Sequence, residues 1–170
     1  MPTATQAAVP AESRRPEAGN CLQLVGFRLA DEEYGIEITK VQEIVLLGEI
    51  TRLPETPPYL KGIINLRNMV IPVVDLRLRF GLPEQPPTGD TRVIVVSVGG
   101  RTMGFIVDAV SEVLRIARDQ ISPPPPSVAG LGREYLTGLV RRDKGLLILL
   151  DIEKVLSHDE RQAVVAIAAS

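Results

Sequence analysis

Apolar and polar residues alternate along most of the chain in short runs separated by turn residues, which is the pattern of β-strands. Gly99-Gly100 separates two such runs, and Arg67-Asn68 separates another two, so both pairs read as hairpins with tight turns. The predicted strands are, in chain order, residues 22–29, 34–38, 50–53, 60–66, 69–76, 92–98, 102–107, 135–140 and 146–150.

Two segments break the alternation and predict short helical turns. In Thr39–Val45 the apolar residues Val41, Ile44 and Val45 recur at helical spacing, and Thr39 with Gln42 fits a capping box. Ala109–Leu114 repeats this spacing. A closing helix is predicted to begin near Asp151. The chain is therefore predicted to be mainly β with short helices.

The chain also resembles itself. At an offset of 76 residues, Tyr59–Ile64 aligns with Tyr135–Val140, and Ile71–Leu76 aligns with Leu147–Ile152. At an offset of 69 residues, Gly35–Ile44 aligns with Gly104–Val113. Chance similarity between apolar strands is the alternative. The ordered agreement favours two copies of one unit of roughly 70 residues, each suited to a small five-stranded barrel.

Composition narrows the class of protein. Hydrophobic residues make up 45% of the 170 residues but aromatic residues only 4%, so the core must be built from Val, Ile and Leu. The net charge of -2 gives no basic surface for nucleic acid, and no apolar run approaches the roughly 18 residues that span a bilayer. Residues 1–20 are rich in Pro, Ala and charge, which predicts a disordered tail. With a single cysteine, Cys21, the chain is expected to be cytoplasmic.

The sequence offers no catalytic constellation, and no cofactor or metal is expected. One histidine, His158, and one cysteine cannot supply the usual ligand sets or triads. Asp75 and Asp151 follow apolar strands at equivalent repeat positions, which predicts a shared capping role. What remains is a binding surface. Arg67 at a hairpin tip and Glu43 in an apolar segment are its candidates, although both also fit ordinary surface residues.

A series of motifs carries a family resemblance. Residues 33–44, EYGIEITKVQEI, are similar to the pattern EEYGIDILKVQEI of the CheW coupling proteins of bacterial chemotaxis. Further motifs follow in the family's order, from about Leu22 to about Leu156: Thr51–Pro54, Lys61-Gly62, Asn65–Arg67, Ile71–Arg77, Val107–Leu114, Glu134–Leu139 and Asp151–Lys154. Asn68 departs from the family's glycine, and it is expected to adopt the same turn.

The resemblance implies two SH3-like five-stranded β-barrels around a common core. The CheW-like domain would cover residues 21–160, with subdomains at about 21–88 and 89–156 and a terminal helix or tail at 157–170. It also implies a non-enzymatic adaptor that binds the regulatory domain of the histidine kinase CheA and the cytoplasmic tip of methyl-accepting chemoreceptors, in arrays at the inner membrane. The positions that the resemblance marks as partner contacts are Val41, Glu43, Ile44, Gly62, Arg67, Val110 and Val113. A Glu43–Arg67 salt bridge is hypothesised to fix this surface.

Other functions stay open at this point. An adaptor of a non-flagellar pathway, such as twitching or developmental signalling, would share every motif. An enzyme using the groove between the barrels would need a nucleophile, acid or metal cluster, and the sequence offers none. A nucleic-acid-binding barrel would need stacking aromatics and an excess of basic residues.

Overall fold

The computed structural model describes residues 21–125 and 135–169. The tail predicted over residues 1–20 lies outside these ranges. The strands are β1 (Cys21–Leu29), β2 (Glu32–Glu37), β3 (Val41–Leu46), β4 (Leu60–Leu66), β5 (Met69–Asp75), β6 (Arg92–Val98), β7 (Arg101–Val107), β8 (Ala109–Ala117), β9 (Ile121–Ser122), β10 (Leu136–Arg142) and β11 (Gly145–Leu150). Two α-helices, α1 (Leu76–Arg79) and α2 (His158–Ala169), and three 3-10 turns (Ile38–Lys40, Arg118–Gln120 and Ile152–Lys154) complete the described part.

The strands form two sheets that draw on both halves of the chain. The first sheet has the order β8-β1-β2-β11-β10-β9, and the second has the order β3-β6-β7-β5-β4. Strands β2 and β11 pair in parallel, as do β5 and β7, while the other pairs are antiparallel. The mainly β fold is confirmed, and in place of the two predicted five-stranded barrels the described strands form one six-stranded and one five-stranded sheet. The division near residue 88 follows the order of elements along the chain, whereas each sheet combines strands from both sides of it.

The predicted helical turns at Thr39–Val45 and Ala109–Leu114 are wrong, because these residues form strands β3 and β8. Half-buried and exposed residues alternate along β3, as they do in a strand. Each strand carries one extra residue, a β-bulge, next to Gln42 in β3 and Ser111 in β8. A bulge shifts the apolar positions by one, so a strand pattern imitates helical spacing. The true 3-10 turn, Ile38–Lys40, precedes β3, and its N-cap residue is Glu37 without a side-chain cap, so the predicted capping box is also absent there.

Residues 50–53, predicted as a strand, contribute one isolated bridge between Thr51 and Ile63. Its two backbone hydrogen bonds, each 2.9 Å, hold this segment across β4. Pro54 and the Pro57-Pro58 pair in the stretch that follows cannot donate backbone hydrogen bonds, which limits pairing.

Three apolar clusters explain why both faces of the central strands are apolar. The largest lies between the sheets and takes residues such as Phe27 and Ile36 from the first sheet, Phe105 from the second, and Val164 from α2. A second cluster lies on the other face of the second sheet, and a third lies on the other face of the first. Strand β6 shows the division, because Val93 and Val95 enter the second cluster while Ile94, Val96 and Val98 enter the largest. The sheets are therefore joined by a shared core.

Asp75 and Asp151 perform the same capping job in the two copies, as predicted. Oδ1 of Asp75 accepts a hydrogen bond from the backbone N–H of Arg77 at 2.9 Å, and Oδ1 of Asp151 accepts one from Glu153 at 3.0 Å. Burial raises the pKa of Asp75, while hydrogen bonds from the backbone N–H groups of Arg77 and Leu78 oppose the rise. Each aspartate ends a strand and starts a helical turn.

Two ion pairs tie the copies together at equivalent places. Arg77, beside the Asp75 cap, binds Asp108 at the junction of β7 and β8, with Nε–Oδ1 2.8 Å and Nη2–Oδ2 2.7 Å. Glu153, which the 76-residue offset aligns with Arg77, binds Lys40 at the start of β3, with Nζ–Oε2 2.6 Å. The signs are exchanged between the two pairs. In each copy, the turn that follows the β4–β5 or β10–β11 hairpin is therefore joined to the other copy by an ion pair.

Candidate functional site

Glu43 and Arg67 form an ion pair across the open side of the second sheet. Arg67 follows β4, one terminal strand of that sheet, and Glu43 lies in β3, the other terminal strand. The ion pair therefore bridges the two edges of the sheet. The Arg67 side chain is 71% exposed, so the pair is also available to a partner.

The hairpin that presents Arg67 depends on two residues with left-handed backbone. Arg67 has φ 50° and Asn68 has φ 68°, as a two-residue turn of this kind requires. Oδ1 of Asn65 accepts a hydrogen bond from the backbone N–H of Asn68 at 3.0 Å. Asn68 thus adopts the turn expected of the family's glycine.

The aliphatic candidates divide into covered and exposed positions in the same way in both copies. Val41 in β3 and Val110 in β8 are half-buried and pack against the largest cluster. Ile44 in β3 is 39% exposed, and Val113, its equivalent in β8, is 56% exposed. Strands β3 and β8 are both terminal strands, each paired on one side only. Each copy therefore presents an exposed aliphatic side chain on a free strand edge.

Gly62 differs from the other candidates because it is buried, and the segment around Thr51 covers it. Its φ is +148°, and an added Cβ would overlap the carbonyl oxygen of Thr51 and lie 2.8 Å from Ile50 Cγ2. Its place in the site is indirect, since it lets β4 pass under the segment around Thr51.

An ion-pair network around Glu112, which the sequence patterns did not predict, joins the second copy to strand β2 of the first. Arg142, at the end of β10, donates to Glu33 of β2 at 2.7 Å and to Glu112 of β8 at 3.2 Å. Ser111 Oγ donates to the same Glu33 at 2.9 Å. Glu112 is the repeat equivalent of Glu43, so the 69-residue offset contained the signal. The Arg142 side chain is only 19% exposed, which makes this network more enclosed than the Glu43–Arg67 pair.

Large exposed apolar residues follow the repeat as well. Ile44 corresponds to Val113, and Val70 at one hairpin corresponds to Leu146 at the other. Leu46 and Met69 complete this set within the described residues. Exposed aliphatic side chains at hairpin ends and free edges are typical of protein contact surfaces.

A cavity of about 1050 Å³ lies away from all seven candidates. It is lined by the β1–β2 turn, by Leu47 and Ile50, by the Arg77–Asp108 pair and by the proline-rich residues 83–88. Polar groups there are mostly engaged, since Arg77 Nη1 also donates to the carbonyl of Pro83 at 3.0 Å. The candidates instead follow the edges of β3 and β8.

Within residues 21–125 and 135–169, no cluster of three His, Cys, Asp or Glu side chains is arranged to hold a metal ion. Cys21 is a half-buried free thiol at the start of β1. Neither helix of the described ranges has the length and apolar character needed to cross a membrane.

Each sheet presents, on a free edge, an exposed aliphatic residue and a carboxylate–arginine pair. This arrangement on a doubled β core is typical of a protein-interaction module. Residues 23–160 match the CheW-like domain, and the chain belongs to this family. It is 44% identical over 144 residues to the Chemotaxis protein CheW of Klebsiella aerogenes, covering 85% of this chain and 87% of that protein. The Chemotaxis protein CheW of Treponema pallidum is 38% identical, with 82% and 85% covered. The crystal structure of the scaffolding protein TtCheW from Thermoanaerobacter tengcongensis superposes with a TM-score of 0.74 at 39% identity, covering 82% of this chain and 94% of that one.

Proposed function

We propose that this protein is a cytoplasmic scaffold of chemotaxis signalling that joins chemoreceptors to the histidine kinase CheA without catalysing a reaction itself. The observation that carries the proposal is the doubled presentation of Ile44 with Glu43 and Val113 with Glu112 on the free edges of β3 and β8, in a member of the CheW-like family. Two edges on one rigid core can engage two partners at once.

The partners that the family resemblance implies are the CheA regulatory domain and the cytoplasmic tip of the chemoreceptor. We assign contact roles to Val41, Glu43, Ile44 and Arg67 around β3, and to Val110 and Val113 on β8. Gly62 acts by shaping the β4 crossing. Arg67 is suited to an anchor, since its exposed planar guanidinium can engage a partner carboxylate while it stays near Glu43.

Coupling by such a scaffold needs no chemistry of its own. A scaffold shifts a kinase between states only if it binds one state of the assembly more tightly than the other. Contacts that are modest individually become strong in an array, because the second contact forms at a high effective concentration. Purified protein should therefore raise CheA phosphorylation only when receptor is present.

A pull-down against the CheA regulatory domain and a receptor tip fragment tests the proposal, with Arg67→Glu as the variant. Reversal of this charge should weaken binding to at least one partner by roughly tenfold, about 1.4 kcal/mol. Arg141→Glu is the matched control, because Arg141 is also exposed near a hairpin end but makes no ion pair with the described residues.

The double variant Glu43→Arg with Arg67→Glu separates two roles of the pair. Recovery of binding indicates that the pair acts by holding the two edges together. Continued loss indicates that one side chain contacts the partner directly. The proposal is rejected if the parent protein binds neither fragment.

A further inference from the structure

The two free edges carry different residues at one pair of equivalent positions. Leu46 in β3 and Arg115 in β8 are 69 residues apart, the offset that also relates Ile44 to Val113. Each lies two residues beyond its exposed aliphatic neighbour and past the bulge, so it shares a face of its strand with that neighbour. One edge therefore continues with an aliphatic side chain, and the other continues with a guanidinium group.

The pairing register shows which face of the sheets this is. Ile44 pairs with Ile94 of β6, and Val113 pairs with Val25 of β1. Both partners belong to the largest apolar cluster, which lies between the sheets. The exposed residues of β3 and β8 beyond the bulge therefore lie at the margin of this inter-sheet face.

Arg115 is exposed and unengaged at this margin. Its side chain makes no ion pair or hydrogen bond with the part of the chain that the structure describes. Its cross-strand partner is Gln23, which is neutral. Glu112, three residues earlier in β8, accepts from Arg142 at 3.2 Å. The guanidinium of Arg115 is therefore available to an acceptor from outside the molecule.

The edge of β3 is aliphatic at the equivalent position. Leu46 is 69% exposed, the largest exposed fraction among the large apolar residues of the described ranges. Its cross-strand partner is Arg92 of β6, whose guanidinium donates to the carbonyls of Gly89 at 2.8 Å and Thr91 at 2.9 Å. Arg92 is therefore engaged by the loop before β6, and the two exposed residues beyond the bulge in β3 are both aliphatic.

We propose that the edge of β8 binds a protein surface that carries a carboxylate beside an aliphatic side chain, and that Arg115 selects this partner. The inference rests on the scaffold function proposed above. An exposed arginine binds a carboxylate through two parallel N–H donors, and Val113 beside it offers the apolar contact. The edge of β3 has Leu46 in place of the arginine and does not select for the carboxylate. This one pair of positions thus directs the two partners to different edges.

Fluorescence anisotropy with the full-length protein tests the proposal, using the labelled CheA regulatory domain and, separately, a labelled receptor tip fragment. Arg115→Leu gives β8 the residue that β3 carries. In about 50 mM salt it should weaken binding to one fragment by roughly fivefold and leave the other unchanged. Arg115→Lys keeps the charge and should keep most of the affinity. Arg115→Glu should lose more than Arg115→Leu, because like charges then repel.

The salt dependence separates a charge effect from a packing effect. The differences among the Arg115 variants should shrink between about 50 mM and about 500 mM salt, because salt screens exposed charges. Leu46→Arg should weaken binding to the other fragment, and that loss should persist at high salt because it removes an apolar contact. Arg141→Leu, a matched control at an exposed arginine of β10, should bind both fragments as the parent does.

Three results would overturn the proposal: binding of both fragments by Arg115→Leu as tightly as by the parent, weakened binding of both, or a loss that does not depend on salt. The first result, with normal binding by the parent, leaves the scaffold function standing and rejects only the role of Arg115. If the parent binds neither fragment, the scaffold function is rejected and this inference is rejected with it.

Discussion

Gly62 lies where strand β4 passes beneath the chain around Thr51, and its missing side chain allows that crossing. The two hydrogen bonds between Thr51 and Ile63, each 2.9 Å, form directly beside it. In the second copy, a Cβ at Gly138 would lie 2.6 Å from Ile121 Cγ2, so the same crossing recurs there. Packing favours glycine at both positions, and at Gly62 the backbone conformation, with φ +148°, favours it as well.

Gly62→Ala should lower the free energy of unfolding by about 3 kcal/mol, from combined overpacking and backbone strain. Gly145→Ala is the matched control, because Gly145 has φ +121° but a Cβ added there would meet no atom within 4 Å. It should cost about 1 kcal/mol, from strain alone. Urea unfolding of both variants measures the difference, and equal losses would contradict the steric role of the crossing.

At the scale of elements, the Arg77–Asp108 pair joins helix α1 to the junction between β7 and β8, and it reaches a third element. Asp108 Oδ2 also accepts the backbone N–H of Ala30, in the β1–β2 turn, at 2.8 Å. Burial acts to raise the pKa of Asp108, but hydrogen bonds from Arg77 and Ala30, with the charge of Arg77, outweigh it. The pKa is therefore held below 3.8.

Asp108→Asn should lower the free energy of unfolding at pH 7 by about 2 kcal/mol, because Arg77 loses its charged acceptor. A depressed carboxyl pKa adds stability that is complete above the unfolded pKa, about 4, and disappears as pH falls through the folded pKa. The difference between parent and variant should therefore shrink from pH 5 to pH 3 in guanidinium unfolding. Asp143→Asn, in an exposed turn, should stay within about 0.5 kcal/mol of the parent at pH 7. A pH-independent difference for Asp108→Asn would count against the ionic contribution.

Some elements could be predicted from local sequence patterns and others could not. The hairpins around Arg67-Asn68 and Gly99-Gly100 and the Asp75 and Asp151 caps followed from local turn and capping chemistry, and the structure contains them. Strands β3 and β8 did not follow, because one extra bulged residue in each makes a period of two look like a helical period. The Arg142 network was missed because its members lie in three strands that only the folded sheets bring together.

At the scale of the whole molecule, the repeat in the sequence is not a pair of separable folding units. In the second sheet, β6 and β7 from the second half lie between β3 and β5 from the first half. In the first sheet, β1 and β2 from the first half lie between β8 and β11 from the second half. The largest apolar cluster draws on both sheets and on helix α2. This exchange of strands holds the two free edges, β3 and β8, in one rigid frame, as a scaffold that engages two partners requires.

The exchange predicts that neither half of the chain folds alone. Residues 1–88 would keep only the β1–β2 and β4–β5 hairpins with an unpaired β3, and residues 89–170 would keep β6–β7 and the strands around β10–β11 with an unpaired β8. Isolated hairpins are marginal in water, and each would expose apolar side chains that the intact core buries. Each fragment should give a disordered far-UV circular dichroism spectrum without a cooperative thermal transition.

Equimolar mixing should restore the spectrum of the full chain, because the cut falls in the proline-rich stretch outside both sheets. The reassembled complex is the internal control for fragment quality. Cooperative unfolding of either fragment by itself would mean that strand exchange between the copies is not needed to form the sheets, and that each copy can close on its own strands.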